Sequence, residues 1–312
     1  MGLITLNGSE TRAGTTEATA TKLARVGIET SPLPSVVMAN WKSANVNVPS
    51  AAESLTKEIL ELFSGLRERN VWVTLCPGYT ALDRVASVLK WASNSHVALG
   101  AQDIYDGLEA DRTSAVTAEV FKGMPQVREV IVGHSETRVH FGVTDYRVNC
   151  KIRRAHEYGL TPTLCVGEDY ETRFGRGNNA KTALSFILAQ LRLALDGIVL
   201  PEHRVSDRAM TGDSYRFRVA YEPLWAINTA KVATPELVAE VCEAIRQELV
   251  RLYGVGIGSG IRILYGGSVK PENAAKLAML AAMNIINGVL VGGASLTATD
   301  LWEIVKAFGL AV

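Results

Sequence analysis

The chain has 312 residues, 47% hydrophobic and 21% charged, with 32 basic side chains balancing 32 acidic ones. That composition fits one soluble globular domain with a large core. Zero net charge gives no reason to expect a nucleic-acid or membrane-surface partner, and no apolar run approaches the roughly 18 residues that span a bilayer.

Residues 1–34 differ from the rest: Thr, Gly, Ala and Ser dominate. The segment lacks the apolar stretch of a secretory signal, and Glu10, Glu17 and Glu29 argue against an organellar transit peptide. Its Met-Gly start is not a myristoylation signal, because Leu6 stands where Ser or Thr is needed. Residues 1–34 are expected to be a flexible extension and 35–312 the folded domain. Cys76, Cys150, Cys165 and Cys242 lie in apolar or helical contexts without a CxxC pair. They read as buried free thiols of a reducing, cytoplasmic compartment, not as disulfides or zinc ligands.

From Val36 onward, short apolar runs alternate with longer amphipathic ones. The runs are Val36–Asn40, Val71–Cys76, His96–Gln102, Glu129–Gly133, Thr163–Gly167, Phe217–Glu222, Ile261–Gly266 and Ile286–Gly292. Helical spacing predicts helices near 49–69, 80–92, 145–158, 179–199, 235–253, 271–281 and 298–308, with a short one near 116–122. In the 235–253 stretch, Leu237, Val241, Ile245, Leu249 and Leu252 mark a buried stripe. Eight strands alternating with eight helices predict an α/β fold, a single-domain (β/α)8 barrel. The rival, a doubly wound open sheet, normally carries a Gly-rich loop after its first strand. Here that loop reads Asn40-Trp41-Lys42-Ser43, without glycine.

Chemistry-bearing residues stand at the C-terminal ends of these strands, where a barrel keeps its active site. Asn40 and Lys42 follow the first strand. His134 and Glu136 follow the fourth. Glu222 ends the sixth, ahead of Pro223, Trp225 and a loop reaching Thr234-Pro235, a sensible helix cap and first turn. Tyr265, Gly266, Gly267 and Ser268 follow the seventh strand, and Gly292 and Gly293 the eighth. Each alone has an ordinary explanation: a solvated lysine, a satisfied histidine, a turn glutamate, turn glycines. Two glycine pairs after the last two strands are a stronger sign, since such pairs let backbone N–H groups approach an anion.

In this order, the segments Asn40-Trp41-Lys42, Gly133-His134-Ser135-Glu136, Ala220-Tyr221-Glu222-Pro223, Trp225-Ala226-Ile227, Tyr265-Gly266-Gly267-Ser268 and Val291-Gly292-Gly293-Ala294-Ser295-Leu296 resemble the triosephosphate isomerase family. The resemblance spans residues 35–310 and implies a TIM barrel. It implies cofactor-free, metal-free interconversion of glyceraldehyde 3-phosphate and dihydroxyacetone phosphate, in glycolysis and gluconeogenesis, by a homodimer. Glu222 would be the base and His134 a neutral electrophile. A helix beginning at His134 would lower its imidazole pKa, a tuning already described for this family. Lys42 and Asn40 would stabilise an enediolate, with Glu136 orienting Lys42 or shuttling protons. Gly267, Ser268, Gly292 and Gly293 would hold phosphate together with Asn228. Residues 223–233, with Trp225, would form a lid steadied by Tyr265. Glu168 would anchor that lid from beneath.

The chain also departs from the family pattern. Asn228 and Ala230 stand for two lid glycines and Val232 for a lid threonine. Asp103 stands for an asparagine, Ser114 and Ala115 for the Gly-Glu of an interface loop, and Thr137 for the arginine that pairs with that glutamate. Both halves of one inter-subunit salt bridge are thus missing, which points to an altered interface. The polar stretch 200–215, including His203, reads as a surface insertion. The alternative readings are a paralogous isomerase of a longer sugar phosphate, such as a tetrulose phosphate, and a non-catalytic sugar-phosphate-binding barrel.

Overall fold

The computed structural model describes residues 34–64, 71–92, 96–107, 112–201, 215–227, 229 and 231–310. The expected extension thus lies, apart from Pro34, outside the described residues, as does most of the 200–215 insertion with His203. Eight parallel strands close into a barrel in chain order. They are β1 (Ser35–Asn40), β2 (Val71–Cys76), β3 (Val97–Ala101), β4 (Val127–Val132), β5 (Thr161–Val166), β6 (Arg218–Tyr221), β7 (Arg262–Tyr265) and β8 (Gly288–Val291). Between and after them lie helices α1 (Pro49–Leu62), α2 (Tyr79–Lys90), α3 (Ser135–Phe141), α4 (Asp145–Glu157), α5 (Tyr170–Phe174), α6 (Ala180–Ala194), α7 (Pro235–Gly260), α8 (Pro271–Ala282) and α9 (Ala298–Leu310). The predicted (β/α)8 barrel is the observed fold. Among the described residues no helix is long and apolar enough to cross a membrane.

Strand alternation sorts the side chains into two environments. Val37, Ala39, Val73, Leu75, Val130, Val132 and Val219 point outward into the layer beneath the helices. Val36, Met38, Cys76, Ile131, Cys165, Ala220, Leu264 and Leu290 fill the tube. Below this apolar layer sits a buried polar plug. Arg218 Nη1 and Nη2 donate to Glu129 Oε2 and Oε1 at 2.6 and 2.9 Å, and Thr74 Oγ1 donates to Oε2 at 2.7 Å. Above it, the same parity brings Asn40 and Glu222 to the mouth.

Element ends differ from expectation for local reasons. The helix predicted over 49–69 ends at Leu62; residues 65–70 lie outside the described set. The one predicted over 179–199 ends at Ala194, three residues before Gly197 turns left-handed at φ 60°. Helix α7 begins at the predicted Thr234 cap, whose Oγ1 accepts from Leu237 N. It resumes beyond 253 after a break at Gly254, with φ 78° and ψ 166°, and reaches Gly260. Of its predicted stripe, Val241, Ile245 and Leu249 are fully buried, while Leu237 and Leu252 are half-buried at the edge. The short helix near 116–122 is a 3-10 turn over Ala118–Gly123. All four cysteines are free, but Cys150 is only partly buried.

Two predictions follow from this packing. Removing one partner of a buried ion pair strands the other charge, so Glu129→Ala is expected to lower stability by about 3–5 kcal/mol in urea unfolding. His156 packs beneath residue 216, and its Nε2 lies 2.8 Å from Arg216 O. Burial opposes the imidazolium and brings its pKa from 6.5 down to about 4. The unfolded chain therefore binds a proton that the folded chain refuses, and stability falls as pH drops from about 6.5 towards about 4. His156→Gln, which keeps a donor for Arg216 O, should flatten that part of the unfolding profile.

Candidate active site

Glu222 is the most constrained residue of the mouth. Its N–H donates to Val166 O at 2.8 Å, and Gly266 N donates to Tyr221 O at 2.8 Å, so the backbone ladders of β5 and β7 fix it on both sides. Its neighbours leave no room for side chains. A Cβ at Gly167 would lie 1.8 Å from Glu222 O, and one at Gly266 would lie 2.9 Å from Glu222 Cγ.

The Glu222 carboxylate is 1% exposed yet well supplied with donors. Ser135 N–H donates to Oε2 at 2.9 Å, and His134 Nε2 lies 3.0 Å from Oε1. Glu136 N–H donates to His134 Nδ1 at 3.1 Å. That contact occupies the Nδ1 lone pair, so the ring proton sits on Nε2 and points at Glu222. Complete burial pushes the Glu222 pKa up. Attraction to His134, the hydrogen bonds from His134 and Ser135, and the Lys42 charge outweigh it, and the net direction is down. In this position Glu222 is ionised and a weak base. Cys165 lies beneath, its thiol pushed well up by burial and by the Glu222 charge.

Lys42 reaches the same space from β1. Its Nζ pairs with Glu136 Oε1 at 2.7 Å. Trp41 O accepts from Asn47 Nδ2 at 2.7 Å and Gln102 Nε2 at 2.8 Å, which pins the backbone that carries Lys42. Asn40 is buried and its Oδ1 has no hydrogen-bond partner among the described residues. Asn40, Lys42, His134, Glu222, Gly267, Ser268, Gly292 and Gly293 line one cavity of about 410 Å³. The glycines there do different work. A Cβ at Gly267 would strike Tyr265 Oη at 2.2 Å, whereas one at Gly293 would meet nothing within 4 Å. No group of three or more His, Cys, Asp or Glu among the described residues is placed to hold a metal.

A buried carboxylate, an imidazole and an ammonium thus face a glycine-lined wall at the C-terminal mouth of a barrel. Comparison with known proteins agrees: the family model described as triosephosphate isomerase matches residues 35–308. The chain belongs to the triosephosphate isomerase family. It is similar to the triosephosphate isomerase of Carboxydothermus hydrogenoformans, 38% identical over 273 residues that cover 86% of this chain and 97% of the relative. The Moorella thermoacetica triosephosphate isomerase is 37% identical, covering 87% of this chain and 97% of that one. The crystal structure of triosephosphate isomerase from Bartonella henselae superposes with a TM-score of 0.69 at 28% identity, covering 88% of this chain and 99% of that chain.

Further residues surround the cavity. Glu168 is a hub below the loop after β6: its Oε1 accepts from Trp225 Nε1 at 2.8 Å, from Tyr221 Oη at 3.2 Å and from Arg173 Nε. Leu224 N donates to Glu168 O at 3.0 Å. Tyr265 Oη is buried without a hydrogen-bond partner among the described residues. Asn228, expected at the phosphate, and Ala230 lie outside the described residues. Glu136 also lines a second cavity of about 360 Å³ with Ala115 and Thr137. Ser135 and Gly167 were not singled out as site residues by sequence, because one acts through its backbone N–H and the other through the side chain it lacks. The short spacing from Glu168 to Arg173 was the available signal for the hub.

Ser135 is the first residue of α3, and His134 before it has φ −51° and ψ 142°. Both positions suit a proline. Ser135→Pro should therefore fold, but its ring Cδ replaces the N–H that points at Glu222 Oε2, so the carboxylate loses the donor and is driven off this position. The Glu222 carboxyl pKa is expected to rise, read by carboxyl carbon NMR titration; an unmoved value would show that this N–H does not hold the charge.

Proposed function

We propose that this chain interconverts glyceraldehyde 3-phosphate and dihydroxyacetone phosphate, an aldose–ketose isomerisation and hence an intramolecular oxidoreduction, through an enediolate. The observation that carries the reading is the convergence of Glu222, His134 Nε2 and Lys42 Nζ on one cavity walled by Gly267, Ser268, Gly292 and Gly293. The relatives named above give the longer-sugar and non-catalytic readings no support.

Glu222 takes a proton from the carbon beside the carbonyl and returns it to the neighbouring carbon. To do so the carboxylate leaves Ser135 N–H. Losing that donor raises its basicity, so the base strengthens as it reaches substrate. His134, with its proton on Nε2, donates to the substrate oxygens and moves protons between them. The Lys42 ammonium, held by Glu136, and the Asn40 side-chain N–H stabilise the negative charge that develops on oxygen. The glycine-lined wall with Ser268 receives the phosphate through backbone N–H groups. Residues 223–233 close over the site, with Tyr265 Oη steadying the closed form, and so exclude water from the enediolate.

We place the enzyme in the cytoplasm as a homodimer, with residues 1–34 as an extension outside the barrel. The second cavity supports an altered interface. Ala115 and Thr137, the two neutral replacements, face the same space, beside a Phe141 that is 73% exposed.

A coupled assay with glyceraldehyde 3-phosphate tests the activity. Glu222→Gln is expected to cost roughly 10²–10⁴-fold in kcat while inorganic phosphate still binds, the scale of a lost general base. Unchanged turnover in that variant would remove Glu222 from its role.

A further inference from the structure

Helix α5 carries two aromatic side chains that no step of the isomerisation uses. Phe174 meets the indole of Trp225 edge-on, with centroids 5.2 Å apart and planes at 82°. Tyr170 lies against Phe174 at 5.0 Å. Lys231 Nζ sits 3.6 Å above the centre of the Tyr170 ring. The row Trp225, Phe174, Tyr170, Lys231 therefore joins both sides of the loop after β6 to one short helix. Both α5 rings are 49% exposed, far from the burial that core packing would give them.

The helix is a firm support for such contacts. Asp169 Oδ1 caps it by accepting from Thr172 N at 2.7 Å, and Arg173 Nε donates to Glu168. On the loop side, Thr229 Oγ1 donates to Trp225 O at 2.8 Å, and Lys231 N donates to Thr229 Oγ1 at 3.1 Å. Trp225 is three residues from Glu222. Whatever holds the indole also holds the backbone that keeps the carboxylate on Ser135 N–H.

We propose that Tyr170 and Phe174 are positioning residues that clasp Trp225 and Lys231 in the resting arrangement, in which Glu222 stays bonded to Ser135 N–H, and so set the balance between resting and substrate-ready enzyme. This role presupposes the isomerase reading above. Contacts made only at rest lower the fraction of competent enzyme and weaken apparent binding by that fraction. Loosening them strengthens binding. A cation–π contact at an exposed site corresponds to roughly a two- to fivefold change in such a balance.

The test compares Tyr170→Leu, Tyr170→Phe and Lys231→Met with wild type in a steady-state triose phosphate assay and in calorimetric titration with inorganic phosphate. Tyr170→Leu and Lys231→Met should lower KM and the phosphate dissociation constant together, by roughly two- to fivefold, while Tyr170→Phe keeps wild-type values because it keeps the ring. A lower kcat with unmoved KM and phosphate affinity would overturn the clasp, as would a Tyr170→Phe variant that behaves like Tyr170→Leu. Wild-type protein that turns over no triose phosphate would refute the isomerase reading alone, since the phosphate constants still decide the clasp. Wild-type protein that binds no phosphate would overturn both.

Discussion

A closed barrel of eight parallel strands gives its inward side chains one narrow tube to share, and height in that tube decides what each must be. At the bottom the chain buries charge against fixed partners: Arg218 holds both oxygens of Glu129, Thr74 donates to one of them, and Arg262 donates to Pro34 O. In the middle it places apolar and thiol groups, from Met38 and Ile131 to Ala220 and Leu290. At the top it again buries charge, but differently. Glu222 is held by one backbone N–H and one imidazole, with no guanidinium beside it. A bidentate arginine would lock a carboxylate for good, whereas these two partners leave it able to move. The difference between a locked and a movable buried carboxylate here is the kind of donor, not the degree of burial.

The same contrast explains why so much of the mouth is glycine. At Gly167 and Gly266 the Glu222 backbone and side chain come too close for any Cβ. At Gly267 the obstacle is the Tyr265 ring. Three glycines on two strand ends, those of β5 and β7, thus make one carboxylate and one phenol fit. Gly293 has space around it, so its value lies in leaving that space open.

The strands were legible because each is an apolar run closed by a polar residue, a glycine or, after β2, a proline, and the β2 limits were readable to the residue. Helix ends were less so. The turn at Gly197 and the break at Gly254 are both glycines with positive φ, and nothing in composition distinguishes a glycine that stops a helix from one that interrupts it. The placement of Asn40, Lys42, His134 and Glu222 at strand ends could be read because the chemistry is carried by side chains. The clamp on Glu222 could not, because Ser135 acts through its backbone. Nor could the Glu129–Arg218 pair: its members are 89 positions apart and meet only once the barrel closes. Lys231 and Tyr170 fall in the same class, since only the fold sets a loop cation over a helix aromatic.

Three of the departures from the family pattern lie away from the tube. Asp103, Ala115 and Thr137 gather at the second cavity, where there is room to change. Its charges are settled within the chain. Lys151 Nζ donates to both Asp103 oxygens at 2.7 and 2.6 Å, and Arg147 embraces Asp106 at 2.6 and 3.2 Å. On this wall the charges are paired within the chain, and Phe141 is a prominent exposed apolar side chain. An exposed ion pair contributes little, about 0–1 kcal/mol, while a buried one must first be desolvated. In the homodimer we propose, replacing both partners by Ala115 and Thr137 removes a desolvation cost along with an attraction. Losing both together is the change that leaves neither charge stranded, and this wall carries that change without disturbing the carboxylate on the other side of Lys42.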